Sequence, residues 1–194
     1  MSDDQDEFNP KWPSLKFIAV GHGAMGKTCM LLRYFRNEFP EQYIPTVFDN
    51  VLKHLEYEGQ MYNMACWDTA GGEDYPRLRP LSYPGTDAFL LLHNVNSHRL
   101  FEDIETYWWP ELKHHCPGVP VILVGSKVDL RNENSLSFEE GRKMAEKIGA
   151  ACYMECSSLE DIGVSEVFQQ AVKLGSEYQK TEKNKKKRKK CNLL

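Results

Sequence analysis

No run of apolar residues in this 194-residue chain approaches the ~20 that a helix needs to cross a bilayer. A membrane-spanning helix is therefore not expected. The six cysteines, Cys29, Cys66, Cys116, Cys152, Cys156 and Cys191, include no CxxC pair, and no secretory leader is recognisable. Reduced thiols in a cytosolic compartment are expected, rather than a disulfide framework or a zinc ribbon. His114, His115 and Cys116 are adjacent, but neighbours diverge around a helix, so the trio reads as helix-end surface. No internal repeat is present. Positive charge is scarce over most of the chain: residues 1–179 hold 16 Lys and Arg against 27 Asp and Glu, a net of −11. That argues against nucleic acid as a partner. Residues 180–194 reverse the balance, with 8 against 1, and such a basic tail seeks a local polyanion.

The 41% hydrophobic content suffices for one sizeable core, and the length argues for one domain; a monomer is expected. Residues 1–14 read as an acidic, flexible extension, 15–179 as the globular domain and 180–194 as a polybasic tail. Strand-like apolar runs lie at Leu15 to Val20, Asn50 to Tyr57, Gln60 to Asp68, Ala88 to Val95, Val119 to Gly125 and Ala151 to Cys156. Glu58-Gly59 suits a hairpin turn between the second and third. Helical patterns occupy Lys27 to Phe35, Arg99 to His115 with a kink near Pro110, Phe138 to Ile148 ended by Gly149, and Val164 to Tyr178. The alternation predicts an α/β fold: a mostly parallel six-stranded sheet with helices on both faces and ligands at the carboxyl ends of the strands.

Residues 21–28 carry the chemistry. Gly21-His22-Gly23-Ala24-Met25-Gly26-Lys27-Thr28 is a complete G-x-x-x-x-G-K-[ST] phosphate loop between a strand-like and a helical run, with Cys29 next in the helix. The glycines let backbone amides approach phosphate oxygens at a helix N-terminus. Lys27 would neutralise β- and γ-phosphates, and the Thr28 hydroxyl would ligate Mg²⁺. Asp68, in Asp68-Thr69-Ala70-Gly71, can hold the same ion, and Gly71 offers an amide to the γ-phosphate. Thr46 could add a second hydroxyl. The base is chosen elsewhere. In Ser126-Lys127-Val128-Asp129 the Asp129 carboxylate can accept from both guanine N1–H and the 2-amino group, an edge that adenine lacks. The Lys127 stem can cover the base, and an amide in Ser157-Ser158-Leu159 can donate to guanine O6.

Taken together, YIPTVFDN (43–50), WDTAGGEDYPRLRPLSYPGTD (67–87), WWPE (108–111) and ECSSL (155–159) resemble the Ras-like small GTPases, and more closely the Rho family, over residues 15–194. The resemblance implies a GTP/GDP switch with Mg²⁺, signalling to the actin cytoskeleton and cell polarity. Phe39 would flank the base and Tyr43 cover the phosphates. The segments around Thr46 and from Asp68 to Arg79 would sense the nucleotide, with Trp67 helping to choose the exchange factor. Implied partners are an exchange factor, a GTPase-activating protein, a dissociation inhibitor and effectors such as kinases and actin regulators. The catalytic set would be Lys27, Thr46, Gly71 and position 72.

Three departures from the family pattern stand out. Ser126 replaces the usual Thr or Asn. Only a short loop joins Asp129 to Phe138, where Rho proteins carry an extra helix. Gly72 stands where the family places the glutamine that orients the attacking water, so low intrinsic hydrolysis is expected. Two readings stay open: a cycling switch, and a constitutively GTP-loaded interaction module. A third, an ATP-dependent kinase or ATPase, conflicts with Asp129. The final Cys191-Asn192-Leu193-Leu194 fits a geranylgeranylation motif, and the preceding Lys and Arg run would add attraction to anionic lipids at the cytoplasmic face of a membrane.

Overall fold

The apolar run before the phosphate loop becomes the strand around which the sheet is built. The computed structural model describes residues 8–40, 48–69 and 78–191. Strand β1 (Ser14–Val20) pairs in parallel with β3 (Gln60–Thr69) on one side and β4 (Ala88–Asn94) on the other. β2 (Phe48–Tyr57) adds antiparallel to β3, while β5 (Val121–Ser126) and β6 (Cys152–Cys156) extend the parallel part. Among the described residues the sheet order is β2-β3-β1-β4-β5-β6. The chain leaves β1 toward one edge and later returns to the other, so the end of β1 is the crevice where such sheets bind ligands. Glu58 and Gly59, both at positive φ, turn β2 into β3 as their sequence suggests.

Period-two alternation sorts the core onto two faces. Leu15, Phe17 and Ala19 point to one cluster with Leu90, Leu92, Ile122, Val124, Phe168 and Val172. Ile18 and Val20 point to the other with Phe89, Leu91, Leu123, Trp108 and Ile148. Helix α1 (Lys27–Arg36) and α5 (Val164–Cys191) cover the first face. α2 (His98–Phe101), α3 (Trp109–His115) and α4 (Phe138–Ile148) cover the second. α4 begins in a reciprocal Ser137–Glu140 capping box and ends at Gly149 in the left-handed region.

Strand ends shift by one or two residues, and three larger differences from the sequence reading stand out. The Arg99 to His115 pattern is not one helix kinked at Pro110. It is α2, a π-helical turn at Ile104–Trp108, and α3. Proline lacks an N–H and crowds the carbonyl four residues earlier, so the irregular turn lies before Pro110, which itself occupies the first turn of α3. Helix α5 runs beyond Tyr178 to Cys191. At the other end the chain is already held from Asn9, where an extension to residue 14 was expected. The Asn63 amide donates to the Asn9 and Trp12 carbonyls at 2.7 and 3.0 Å, and its Oδ1 accepts from the Asn9 N–H. No described helix is long and apolar enough to cross a membrane.

Candidate nucleotide site

The phosphate loop connects the buried end of β1 to the start of α1, and its shape follows from its glycines. Gly21 has φ +137°, and a Cβ there would stand 2.4 Å from the Leu92 carbonyl oxygen, so this glycine is needed for close approach to β4 as well as for its conformation. A Cβ on Gly23 would meet no described atom within 4 Å. Gly26, at φ +87°, caps α1. Ala24 also adopts positive φ, a conformation uncommon for a residue with a side chain. Met25 is buried, and its sulfur accepts from the Asn94 N–H at 3.2 Å, fastening the loop to β4.

Lys27 is 5% exposed, and its ammonium donates to the Gly21 and His22 carbonyls at 2.9 Å each. Burial lowers its pKa to about 8, partly opposed by the charge of Asp68. An anion in the loop would restore the compensation that burial removes. Thr28 Oγ1 donates to Asp68 Oδ2 at 2.6 Å, bringing the two described members of the expected metal set together across α1 and β3. A hydroxyl and a buried carboxylate are hard oxygen donors of the kind that suits Mg²⁺.

The base-reading residues converge from two strand ends. Lys127, at φ 63°, follows β5. Its Cε would lie 3.8 Å from a Cβ on Gly26, so the stem runs beside the phosphate loop. Asp129 accepts a 2.6 Å hydrogen bond from the Ser157 hydroxyl, and Ser157 is fully buried just after β6. The Ser157 N–H is already given to the Ile162 carbonyl at 2.8 Å. The amide expected for guanine O6 is thus better sought at Ser158 or Leu159. Ser126 has a different role from base reading: its hydroxyl contacts the Met25 and His93 carbonyls at 2.6 and 2.9 Å, clamping β5 to the phosphate loop and β4. Phe39 is partly exposed at 38%. Cys29 lies in the first turn of α1, its thiol pKa raised by burial.

Tyr43, Thr46, Gly71 and Gly72 lie outside the described residues. Cys191 ends α5, and its side chain lies outside them too. Trp67 is half-buried on β3 with the Lys16 ammonium 4.9 Å above its ring, so it packs on a sheet face. A cavity of about 680 Å³, lined in part by Ser14, Asp87, Cys116 and Tyr178, sits at the opposite ends of the strands and includes none of the expected site residues.

Several supports were not recognised in the sequence. Arg33 on α1 donates to the Ser158 carbonyl at 2.8 Å, holding the base loop; in sequence it reads as a helix-end charge. Gly163 has φ +71°, and a Cβ there would meet the Glu155 carbonyl oxygen at 2.3 Å. Arg79, 5% exposed, donates to Glu111 Oε2 at 2.6 Å and to the Tyr107 hydroxyl at 3.0 Å, with its guanidinium 4.3 Å from the Trp108 ring centre. Burial opposes its charge, but these hydrogen bonds outweigh it and raise its pKa.

Comparison with known proteins agrees with this arrangement. Residues 16–176 match the Ras family. Over 162 residues the chain is 51% identical to the Ras-like GTP-binding protein RhoL of Drosophila melanogaster, a match covering 82% of this chain and 85% of that relative. The chain belongs to the Ras family of small GTPases, and its mostly parallel six-stranded sheet has the corresponding P-loop fold.

Proposed function

We propose that this member of the Ras family is a Rho-type switch that binds GTP and GDP with Mg²⁺, hydrolyses GTP slowly and recruits effectors through the segments around Thr46 and from Asp68 to Arg79. The observation that carries the guanine assignment is Asp129, held by the buried Ser157 hydroxyl beside Lys127 and the phosphate loop. A fixed carboxylate suits two adjacent N–H donors, and adenine does not present that pair. Support for the Rho branch comes from the sequence segments described above and from the likeness to RhoL.

In this reading the loop amides and Lys27 hold the phosphates, and Lys27 would exchange its Gly21 and His22 carbonyls for phosphate oxygens. Thr28 and Asp68 would hold the metal, with Thr46 completing the protein ligands. Bound there, Mg²⁺ would supply neutralising charge for the β- and γ-phosphates. Phosphoryl transfer to water then depends on positioning, and at position 72 glycine supplies no side-chain amide to aim that water. Truncation of Asp129 to Ala removes a charge-assisted acceptor, so GTP affinity is expected to fall by about 1.5–3 kcal/mol per lost bond. Titration of both proteins with a fluorescent GTP analogue, with ATP as competitor, tests this. Equal affinity in Asp129→Ala, or ATP competing as well as GTP, would refute the guanine assignment.

Gly72 favours a second reading, in which the fold and effector surface are kept but the protein stays GTP-loaded. The nucleotide carried by protein purified without added nucleotide separates the two: mainly GDP for a cycling enzyme, mainly GTP for the locked module. Gly72→Gln is expected to raise single-turnover hydrolysis at least ~10-fold, ~1.4 kcal/mol off the barrier, with GTP affinity little changed. A parent as fast as the variant would show that another group orients the water.

We also propose that prenylation at Cys191 and the basic run before it hold the protein at anionic cytoplasmic membranes. One lipid chain anchors weakly, so both signals would be needed. Unchanged membrane association of Cys191→Ser in cell fractionation would refute the lipid anchor.

A further inference from the structure

The phosphate loop carries an imidazole that nucleotide binding as described above does not use. His22 Nε2 lies 3.0 Å from Asp103 Oδ2 at the start of the π-helical turn. The His22 ring lies roughly parallel to Tyr107, centroids 6.1 Å apart, and edge-on to Trp108 at 5.5 Å. The same turn also seats Arg79, through Tyr107, Trp108 and the nearby Glu111. One irregular turn thus contacts the phosphate loop and the residue that closes the second nucleotide-sensing segment. π-helical turns recur at functional sites because their widened backbone places side chains that a regular helix cannot.

The contact between His22 and Asp103 is short but off-line. Nε2 makes no well-formed hydrogen bond, and neither does the buried Trp108 Nε1 beside it. A neutral imidazole therefore gains little from Asp103, whereas an imidazolium at 3.0 Å gains a Coulomb attraction that does not require linearity. The pair is only partly exposed, with side chains at 14% and 38%. Charged and titratable groups around the ring are Asp103 and the Tyr107 phenol from the π turn, the Lys27 ammonium on the His22 carbonyl, and Arg79 stacked on Trp108. Residues 70–77 lie outside the described set. His22 lies within the phosphate loop, between Gly21 and Gly23, so what holds its ring also holds the loop whose amides would face the phosphates.

We propose that His22 is a positioning residue whose imidazolium, paired with Asp103, latches the phosphate loop to the π-helical turn and thereby slows nucleotide release as pH falls. The proposal rests on the guanine-nucleotide reading of the site. The latch acts on the loop's geometry and not on the base, so base selectivity does not depend on it.

The test uses the full chain loaded with a fluorescent GDP analogue at constant Mg²⁺, chased with unlabelled GDP between about pH 5.5 and 7.5, where imidazole exchanges its proton. Release from the parent should quicken with rising pH by roughly two- to fivefold, the range expected for a partly exposed pair. His22→Gln keeps a polar side chain without the charge, so its release should be fast and nearly independent of pH. Asp103→Asn separates the latch from simple attraction between imidazolium and phosphate. Loss of the latch quickens release at low pH, whereas removing a negative charge near the phosphates would slow it. Slower release from Asp103→Asn, or a pH slope in His22→Gln equal to the parent's, overturns the proposal. Failure of the parent to bind the analogue at all would instead overturn the guanine-nucleotide reading.

Discussion

A single imidazole in the core gives the molecule a calculable response to acid. His93 lies on β4, 2% exposed, between Phe101 and Tyr153, and neither ring nitrogen forms a well-made hydrogen bond among the described residues. Burial is the main cause of a pKa lowered from 6.5 to about 4, only partly opposed by Asn94 and Glu155. As pH falls through 6.5 the unfolded chain takes up a proton that the native chain refuses until about 4, so the unfolded state binds more protons in that window. Stability should drop by roughly 1.4 kcal/mol per pH unit there from this residue alone. His93→Phe should remove that component. Urea unfolding at several pH values checks it, and an unaltered slope would mean that His93 is not the titrating group. Ser157 is the second residue-scale case. Its hydroxyl donates to Asp129 and accepts from the Glu160 N–H at 3.1 Å. Ser157→Ala should lower guanine affinity by roughly 1 kcal/mol, about fivefold, because Asp129 loses its orienting donor. A competition titration of GTP against the parent measures it, and affinity equal to the parent's would leave Asp129 oriented by something else.

At the scale of elements, what could be read in the sequence was whatever is specified locally. The phosphate loop, the Glu58-Gly59 hairpin and the Ser137 to Gly149 helix each carry their own backbone instructions, and each forms where those instructions lie. Asp129 was recognised because base chemistry demands it, but its orientation by Ser157 was not, since 28 residues separate the two. The π-helical turn was missed for a related reason. Proline signals a disturbed helix, but tertiary seating of Tyr107 and Trp108 around Arg79 accompanies the form it takes. Gly141 is a similar case. In sequence it is a weak helix former, and alanine would seem an improvement by about 1 kcal/mol. In the structure a Cβ there would lie 2.0 Å from Tyr153 Cζ, and one on Gly125 would lie 2.3 Å from the Tyr153 hydroxyl. Two glycines on α4 and β5 make the space that the Tyr153 ring fills, and that ring also meets His93 and Phe138. Gly141→Ala should therefore destabilise by about 1–3 kcal/mol through overpacking, in spite of the better helix propensity. Tyr153→Leu should recover part of that loss in the Gly141→Ala background. A denaturation midpoint for Gly141→Ala at or above the parent's would show that the ring yields more easily than this packing indicates.

For the whole molecule, the uneven distribution of charge becomes a matter of direction. Residues 1–179 carry a net −11 and residues 180–194 a net +7. The structure joins them by one continuous helix, α5, with no hinge between the domain and the basic run. Gln179 fixes the point of departure, donating to the Ser14 carbonyl at 2.8 Å and to Asp87 at 3.0 Å, while Lys180 pairs with Glu58 at the β2–β3 hairpin at 3.4 Å. Beyond that point a helix rises about 1.5 Å per residue, so the far end of the basic run would stand roughly 15 Å from that point instead of folding back onto the acidic body. An anionic surface would then attract the tail and repel the rest, which favours approach tail first. The full chain without lipid modification should bind phosphatidylserine vesicles measurably at low salt, because Lys and Arg near such a surface contribute about 1 kcal/mol each. Binding should fall steeply as the salt rises, since screening shortens the reach of the tail to about 10 Å at 0.1 M. Replacing Lys185, Lys186 and Lys187 with Gln should remove most of this binding while leaving nucleotide affinity unchanged, as those residues lie far along α5 from the phosphate loop. Co-sedimentation across a salt series measures both effects. Vesicle binding that ignores salt, or that survives loss of the three lysines, would place the membrane contact on the body of the protein.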